Sequence, residues 1–427
     1  MKKPMMFIEN VMYKILEPVS NMYIEKVRKA IQMSPAELYN KIINNFNIEL
    51  SQEVNSIQGT TIFATPGCPH NVRNGYHCGC SFCDWNDTYI ADPAYVSILR
   101  EKDPNLYKKM QLQSFDKLRG LNKPAKFFEE FAIHNCFDDG QFTEEEWEFL
   151  FEKTKLFSAK PIIGLVQVRA ENVTHEKIIL WRKMVRKQLV LGIGVETGDE
   201  WLRNHWLNKD LYDSDLIHAI NIAHDCNCKV SANILIMLPG LNAKQSIQLF
   251  IRSVKRMIEL GCDSIMLSPL VIKKYTLQNY IDFKQSDNER KDNIFVLIEA
   301  IWQLSKLDNR ITSKIMFSSL NFADYFAQLE ESEELKEAKI MFSSLLEIGG
   351  EKDFSSFSEK ALNFAQKDSY IEFLSYYEKL DGVAAIKDRI YECADELVKS
   401  IYSDNERTEQ MILIDKELEL WDGVTYE

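Results

Sequence analysis

Strand-like apolar segments alternate with helix-like segments through the middle of the chain, and this alternation constrains the fold more than any other feature. The apolar runs occupy residues 61–64, the end of 127–137, 161–169, 188–195, 229–238 and 263–267. Strands that alternate with helices are typical of βα units and a parallel sheet. Six such units predict an α/β fold, a partial (βα)6 TIM-like barrel with helical N- and C-terminal extensions, whose ligands collect at the carboxyl ends of the strands.

Helical patterns flank this core on both sides. Residues 1–57 predict a helical N-terminal extension, in which Ser34, Pro35 and Glu37 give a helix start. Residues 58–285 form the predicted barrel, and residues 286–427 form a mostly helical, acidic C-terminal domain. A segment around residues 311–320 is a candidate for one more strand.

Four cysteines lie close together in the loop that follows the first strand. They are Cys68, Cys78, Cys80 and Cys83. Clustered cysteines indicate metal ligands more often than core residues, and soft thiolates select zinc or an iron–sulfur centre. The four could close a tetrahedral zinc site, so both kinds of site stay open at this point.

Charge and cysteine usage narrow the possible partners. The net charge of −13 argues against nonspecific binding to nucleic acid or to an anionic membrane. No apolar run has the length of a transmembrane helix, and the charged N-terminus does not fit a signal peptide, so we expect a cytoplasmic protein. Nine unevenly spaced cysteines then indicate ligands and buried thiols rather than disulfides.

The cysteine loop resembles the cluster loop of the radical SAM enzymes. In that superfamily a C-x3-C-x2-C pattern binds a [4Fe–4S] cluster and leaves one iron open for S-adenosylmethionine (SAM). Cys80 and Cys83 match the last two ligands, whereas the gap that precedes them is enlarged to eleven residues if Cys68 is the first. The resemblance favours Cys68, Cys80 and Cys83 as ligands, with Cys78 as the alternative first ligand.

Later strands carry further matches to this superfamily. Gly194, Glu196 and Gly198 resemble the G-x-E-[ST]-G segment of the subgroup that includes methylthiotransferases and cobalamin-dependent enzymes. Other matches fall at the ends of the third and fifth strands, in the same order as in that subgroup. They are Arg169, Ser231, Asn233, Pro239 and Gly240.

The resemblance implies roles for these residues in binding SAM. Phe82 would lie near the adenine, although packing beneath the loop is an alternative. Glu196 would accept hydrogen bonds from the ribose or the amino group, although a salt bridge to a neighbouring Lys or Arg is an alternative. Ser231 and Asn233 would offer hydrogen bonds, and Gly240 would let the backbone approach the ligand.

Two acidic residues after the second strand are further candidates. Asp138 and Asp139 would meet SAM or substrate, and capping of the following helix is the alternative. His134 on the same strand is interpreted as a core residue rather than a ligand.

The implied activity is reductive cleavage of SAM by an oxygen-sensitive enzyme. A small-molecule or peptide substrate fits an acidic chain best, and flavodoxin or ferredoxin would supply the electron. A tRNA-modifying enzyme is the second hypothesis, because residues 268–277 resemble members that act on tRNA. A zinc-stabilised, non-enzymatic binding protein is the third.

Overall fold

The computed structural model describes residues 6–46, 58–62, 64–73, 76–83, 91–121, 128–132, 135–153, 161–282, 293–346 and 352–426. Its strands are β1 (Gln58–Ile62), β2 (Val72–Arg73), β3 (Tyr76–His77), β4 (Phe128–Ala132), β5 (Ile163–Val168), β6 (Gln188–Glu196), β7 (Lys229–Leu235), β8 (Ser264–Ser268) and β9 (Ile315–Phe317). The helices up to the end of the barrel are α1 (Phe7–Gln32), α2 (Pro35–Asn44), α3 (Pro93–Lys102), α4 (Pro104–Leu121), α5 (Glu144–Lys153), α6 (His175–Arg182), α7 (Asp213–Asp225), α8 (Ala243–Glu259) and α9 (Leu277–Asp282). The later helices are α10 (Asn293–Ser305), α11 (Asn309–Thr312), α12 (Ser319–Gln328), α13 (Glu333–Leu346), α14 (Phe354–Phe364), α15 (Asp368–Tyr377), α16 (Ile386–Ile401) and α17 (Asp404–Glu419).

The main sheet has its strands in chain order. Its order is β1-β4-β5-β6-β7-β8-β9, and every neighbouring pair is parallel. The six predicted strands are present, and the α/β partial barrel with helical extensions is confirmed. The candidate strand near residue 315 is present as β9, so the sheet continues past residue 285, where the sequence placed the end of the core.

The two faces of the sheet differ in chemistry. Register places Val168, Ile193, Ala232, Ile265 and Ile315 in one row, and all five are buried with the flanking helices in one large apolar cluster. The opposite face carries small and polar residues in matching rows, namely Gln167, Gly192, Ser231 and Ser264, and then Gly194 and Asn233, with the apolar Met266 beside Asn233. The apolar face therefore holds the helices, and the polar face is left for a ligand.

Side-chain caps fix the helix starts that the sequence indicates. Ser34 and Glu37 form a reciprocal capping box at α2. Thr143 and Glu146 do the same at α5, since each backbone N–H is bonded to the other's side chain. Such caps satisfy N–H groups that the helix itself cannot pair.

The enlarged gap between Cys68 and Cys80 contains a small β-hairpin. Strands β2 and β3 pair antiparallel, and the His77 ring packs edge-on against Tyr23 of α1 at 5.2 Å between centroids. Helix α1 also reaches the other end of the chain, because the backbone N–H of Phe7 donates to Glu417 of α17 at 2.8 Å. The two helical extensions are therefore in contact with each other.

Two sequence predictions concerned membrane-spanning helices and His134. None of the helices in the described ranges combines the length and the apolar character that a membrane crossing requires. His134 lies outside the described residues.

Trp181 offers a test of the packing between sheet and helices. It is buried on α6 and contacts the rings of Phe131 on β4 and Trp147 on α5. Because its removal would leave a cavity between three elements, we expect Trp181→Ala to lower the free energy of unfolding by about 3–5 kcal/mol. Ile179→Ala, on the exposed side of the same helix, is the control and should cost less than about 0.5 kcal/mol. Urea unfolding of both variants measures the difference, and equal losses would contradict this assignment of the core.

Candidate functional site

Two loops meet at the carboxyl ends of the strands and define the candidate site. The first, the cysteine loop, is residues 64–83 after β1, without residues 74 and 75. The second, the supporting loop, is residues 197–211 after β6. Carboxyl ends of parallel strands are the usual place for ligands in such folds.

Hydrogen bonds join the two loops closely. The Asn208 amide donates to the carbonyls of Cys78 and Gly79 at 2.6 and 2.9 Å. Ser81 donates from its backbone N–H to Leu207 and from its hydroxyl to Trp206, both at 2.9 Å. His70 Nε2 lies 2.8 Å from the carbonyl of Asn208. The supporting loop thus fixes the backbone on both sides of the β2–β3 hairpin.

Cys68 and Cys80 lie within electrostatic reach of one another and of Arg169. Burial, together with the neighbouring Cys80, raises the pKa of the Cys68 thiol to about 11, and Arg169 opposes that shift. Arg169 also donates to the carbonyls of Lys209 and Asp210 at 2.7 and 2.9 Å. A buried guanidinium beside two thiols is suited to stabilise thiolates, the form in which cysteine binds metal.

The remaining cysteines of the loop, Cys78 and Cys83, are held through their backbones. Within the described residues, no three Cys, His, Asp or Glu side chains already converge as a metal site. The backbone N–H of Cys83 donates to Cys80 at 3.2 Å, so these two residues form a tight turn. Cys78 is buried, and its backbone is held on both sides by Asn71 and Asn208.

Glu196 and Lys209 form a buried ion pair at the end of β6. Their Oε1 and Nζ atoms are 2.9 Å apart, and the Lys209 ammonium lies 5.4 Å from the centre of the Phe82 ring. Burial disfavours the charged ammonium most strongly, but Glu196 and Cys80 together outweigh it, and the pKa of Lys209 is raised. A salt bridge to a neighbouring Lys or Arg was the alternative role predicted for Glu196, and the structure shows that salt bridge.

Gly194 leaves the space that this ion pair occupies. A Cβ atom at Gly194 would lie 2.6 Å from both Glu196 Oε1 and Lys209 Nζ. The glycine of the G-x-E pattern is therefore explained by sterics, because a side chain at position 194 would collide with the ion pair.

Polar atoms on the inner face of the sheet lack partners. Ser231 is fully buried and its hydroxyl makes no hydrogen bond. The Asn233 amide nitrogen donates to Gln167 at 3.1 Å, whereas its Oδ1 is buried and unpartnered. Buried polar atoms without partners are costly, and a bound polar ligand is one explanation for them.

Two other predicted residues have structural partners. Asp138 Oδ1 accepts from the Gly140 N–H, and burial raises the pKa of its carboxyl. Asp139 is exposed and lies 3.1 Å from the Lys177 ammonium. Neither caps α5, because Thr143 has that position.

Gly240 has φ +78°, a conformation that favours glycine. Its carbonyl accepts from Arg389 Nε of α16 at 2.7 Å, and a Cβ would lie 2.8 Å from Cys393 Sγ. In this structure Gly240 thus allows side chains of α16 to approach its backbone.

Unusual backbone conformations surround the site. Glu196, Asn208, Asp210 and Tyr275 all have positive φ, and Leu202–Trp206 forms a π-helical turn. Asn and Asp tolerate this region, but Glu and Tyr reach it only where the surroundings force them. Strained residues and π-turns are frequent at functional sites.

Sequence reasoning assigned no role to Lys209 or Gln167. Lys209 stands in the W-L-N-K segment that continues the G-x-E-[ST]-G match, so a signal for it existed. For Gln167 the only signal in the sequence is its position, because it is a polar residue within an otherwise apolar strand.

A cleft of about 520 Å³ lies on the other side of the supporting loop. It is lined by residues of this loop, among them Asp199 and Trp201, by Asp213, and by residues of the segment 420–426, among them Asp422.

Comparisons with known proteins give one sequence relative and several partial structural likenesses. No protein-family model matches the chain. An uncharacterized protein of Methanocaldococcus jannaschii is 25% identical over 249 residues, which cover 58% of this chain and 64% of the relative. The match therefore spans less than two thirds of the relative's length.

The solved structures that resemble the chain share little of its sequence. The radical S-adenosylmethionine methyltransferase TsrM from Kitasatospora setae gives a TM-score of 0.40 with 11% identity, over 73% of this chain and 63% of that chain. The coproporphyrinogen III oxidase HemN from Escherichia coli, a radical SAM enzyme, gives 0.37 with 14% identity, over 61% and 55%. Methylornithine synthase PylB gives 0.36 with 13% identity, over 86% and 99%. The fold described above rests on the strand order and register of the chain itself.

Asp199 gives the supporting loop a testable dependence on pH. It accepts from the Leu202 N–H at 2.8 Å, and burial raises the pKa of its carboxyl to about 6. The unfolded chain loses this proton near pH 4, whereas the folded chain keeps it to about pH 6. The contribution of Asp199 to the free energy of unfolding therefore decreases as the pH rises from about 4 to 6, by about 3 kcal/mol in all.

Asp199→Asn keeps an acceptor for Leu202 and removes the titration. We expect the variant to gain up to about 3 kcal/mol over the wild type at pH 7.5, and this gain to shrink towards pH 4. Urea unfolding at several pH values measures it, with the exposed Asp225→Asn as the control. A stability difference that is the same at every pH would contradict the assignment.

Proposed function

We propose that this protein is a radical SAM enzyme, in which Cys68, Cys80 and Cys83 hold a [4Fe–4S] cluster at the carboxyl ends of the strands. The observation that carries the proposal is the placement of Cys68 and Cys80 beside Arg169, in a loop that the supporting loop fixes. When bound, the cluster would supply the electron that cleaves SAM reductively to a 5′-deoxyadenosyl radical. Metal ligands are deprotonated on binding, so a cluster would replace the protons of these thiols.

Cys68 is favoured over Cys78 as the first ligand. The Cys68 thiol faces the same electrostatic environment as Cys80, because each of the two interacts with Arg169. The backbone of Cys78 is held by Asn71 and Asn208.

The chain's own residues supply a polar environment for SAM. Lys209 is a buried cation next to Phe82, and it is suited to hold a carboxylate. Ser231 and Asn233 have polar atoms without partners in the direction of the inner face. Their hydrogen-bonding capacity would orient a ligand, and the buried sheet and helices would keep water away from it.

A small-molecule or peptide substrate completes the proposal. The inner face of the sheet is polar, and Gln167 is hydrogen-bonded to both Glu130 and Asn233. The net charge of −13 disfavours a nucleic acid, so a tRNA substrate is the less favoured alternative. Flavodoxin or ferredoxin would act as the external reductant, in the cytoplasm.

The test is anaerobic reconstitution with iron and sulfide. We expect the wild-type protein to bind iron and sulfide in excess over zinc and to give a reduced-cluster EPR signal that changes when SAM is added. Cys68→Ala should abolish that signal and the formation of 5′-deoxyadenosine. Cys226→Ala, at the opposite end of the strands, is the control and should leave both unchanged.

Other outcomes would change the proposal in defined ways. Loss of the signal in Cys78→Ala with retention in Cys68→Ala would exchange the first ligand. Stoichiometric zinc and no iron–sulfur signal in the wild type would refute the radical SAM proposal and favour the zinc-stabilised binding protein. Copurifying tRNA that changes after reaction would identify the substrate as nucleic acid.

Lys209 offers a second test, directed at SAM binding. Lys209→Met keeps the apolar stem but removes the charge, and we expect the Kd for SAM to increase about 10- to 100-fold. The double variant Glu196→Gln/Lys209→Met should show the same increase, because it avoids leaving the Glu196 carboxylate buried alone. Equilibrium dialysis with the reconstituted protein measures the Kd, and the exposed Lys187→Met is the control. An unchanged Kd in both Lys209 variants, with the cluster intact, would exclude this role.

A further inference from the structure

The supporting loop has a second face, and that face contacts the last described residues of the chain. The Trp201 ring is stacked on His205 on one side and on Trp421 on the other, with centroid distances of 5.0 and 4.4 Å and interplanar angles of 7° and 6°. The Trp201 indole N–H donates to the carbonyl of Glu417 at 3.0 Å. Aromatic and hydrogen-bonding contacts thus hold the outer side of the π-turn.

Glu417 connects this contact to a third element. Its side chain is buried, and one oxygen lies 2.6 Å from His205 Nδ1 while the other accepts the backbone N–H of Phe7 at 2.8 Å. A buried carboxylate requires its partners, since its desolvation is otherwise uncompensated. Glu417 therefore ties α17, the start of α1 and the supporting loop together.

The residues after Trp421 continue along the same surface. The carbonyls of Val424 and Tyr426 accept from Arg252 of α8, at 3.5 and 3.0 Å. A Cβ at Gly198 would lie 3.1 Å from the Tyr426 hydroxyl, so this ring approaches the beginning of the supporting loop closely.

Two routes lead from these contacts to the cysteine loop. The direct route passes through the supporting loop, whose opposite face binds Ser81 and the carbonyls of Cys78 and Gly79. The second passes along α1, whose first residue, Phe7, donates its backbone N–H to Glu417 and whose Tyr23 packs against His77. A change at Glu417 would thus reach residues 77–81 by two routes.

We infer that residues 417–426, here called the C-terminal strap, position the cysteine loop through the supporting loop, with Glu417 and Trp421 as the positioning residues. The inference rests on the proposed function where it concerns cluster and SAM, but the mechanical coupling between strap and loops does not.

The first readout is hydrogen–deuterium exchange of the full chain without cluster. We expect Trp421→Ala to increase exchange about tenfold or more in residues 200–210 and 76–83, and Trp421→Phe to restore most of the protection. The control is Leu420→Ala, because Leu420 is adjacent in sequence but 83% exposed, and it should change nothing in these segments. An increase confined to residues 404–426 would overturn the inference.

If Trp421→Ala destabilises the whole fold, Glu417→Gln provides a second test of the coupling. Its matched control is the exposed Glu419→Gln on the same helix. If exchange in Trp421→Ala rises in β5–β8 as well, the comparison of Glu417→Gln with Glu419→Gln decides by the same criterion. Faster exchange in both loops supports the coupling, and unchanged loops refute it.

The second readout concerns the reconstituted protein. We expect Trp421→Ala to bind SAM about tenfold more weakly than the wild type and to broaden the EPR change that SAM causes, while Leu420→Ala matches the wild type. Failure of the wild type to take up a cluster or SAM would refute the proposed function, and exchange would still decide the coupling. A wild type that binds SAM, together with loops that are insensitive to Trp421 and Glu417, would refute the inference alone.

Discussion

The unequal faces of the parallel sheet are the constraint on which the rest of this structure depends. One face presents unbroken rows of Val, Ile, Leu and Ala, and burying them against helices is the main favourable contribution to folding. Because side chains alternate along a strand, the same burial turns Gly192, Gly194, Ser231 and Asn233 to the opposite face. The candidate site thus combines this inner face with the two loops at the carboxyl ends of the strands.

The site itself depends on backbone carbonyls more than on side chains. Four consecutive carbonyls, from Trp206 to Lys209, interact with Ser81, His70 or Arg169. A helical turn would have used those carbonyls internally, whereas the π-turn and the positive φ of Asn208 turn them outwards. The irregular backbone of the supporting loop is what makes it able to hold the cysteine loop.

Much of the fold was predictable from local patterns, and the site only in part. The strands and the capping box at Thr143 depend on periodicity and neighbouring residues, which are local in sequence. The Glu196–Lys209 pair depends on a turn that reverses the chain within thirteen residues, and no pattern of apolar residues specifies that turn. The bond from Phe7 to Glu417 joins residues 410 positions apart and depends on tertiary packing alone. The roles of the candidate residues towards SAM stay predictions.

The β2–β3 hairpin shows how the helical extensions and the cysteine loop are related. An eleven-residue gap between two ligands would leave a free loop with a large conformational entropy, which a bound cluster would have to overcome. Pairing of β2 with β3 and the contact of His77 with Tyr23 order much of that gap before any ligand binds. An enlarged gap and a long N-terminal helix therefore belong together, because the helix supplies the surface on which the additional residues are ordered. The first residue of the same helix, Phe7, donates its backbone N–H to Glu417, so the element that orders the gap is also one that the C-terminal strap holds.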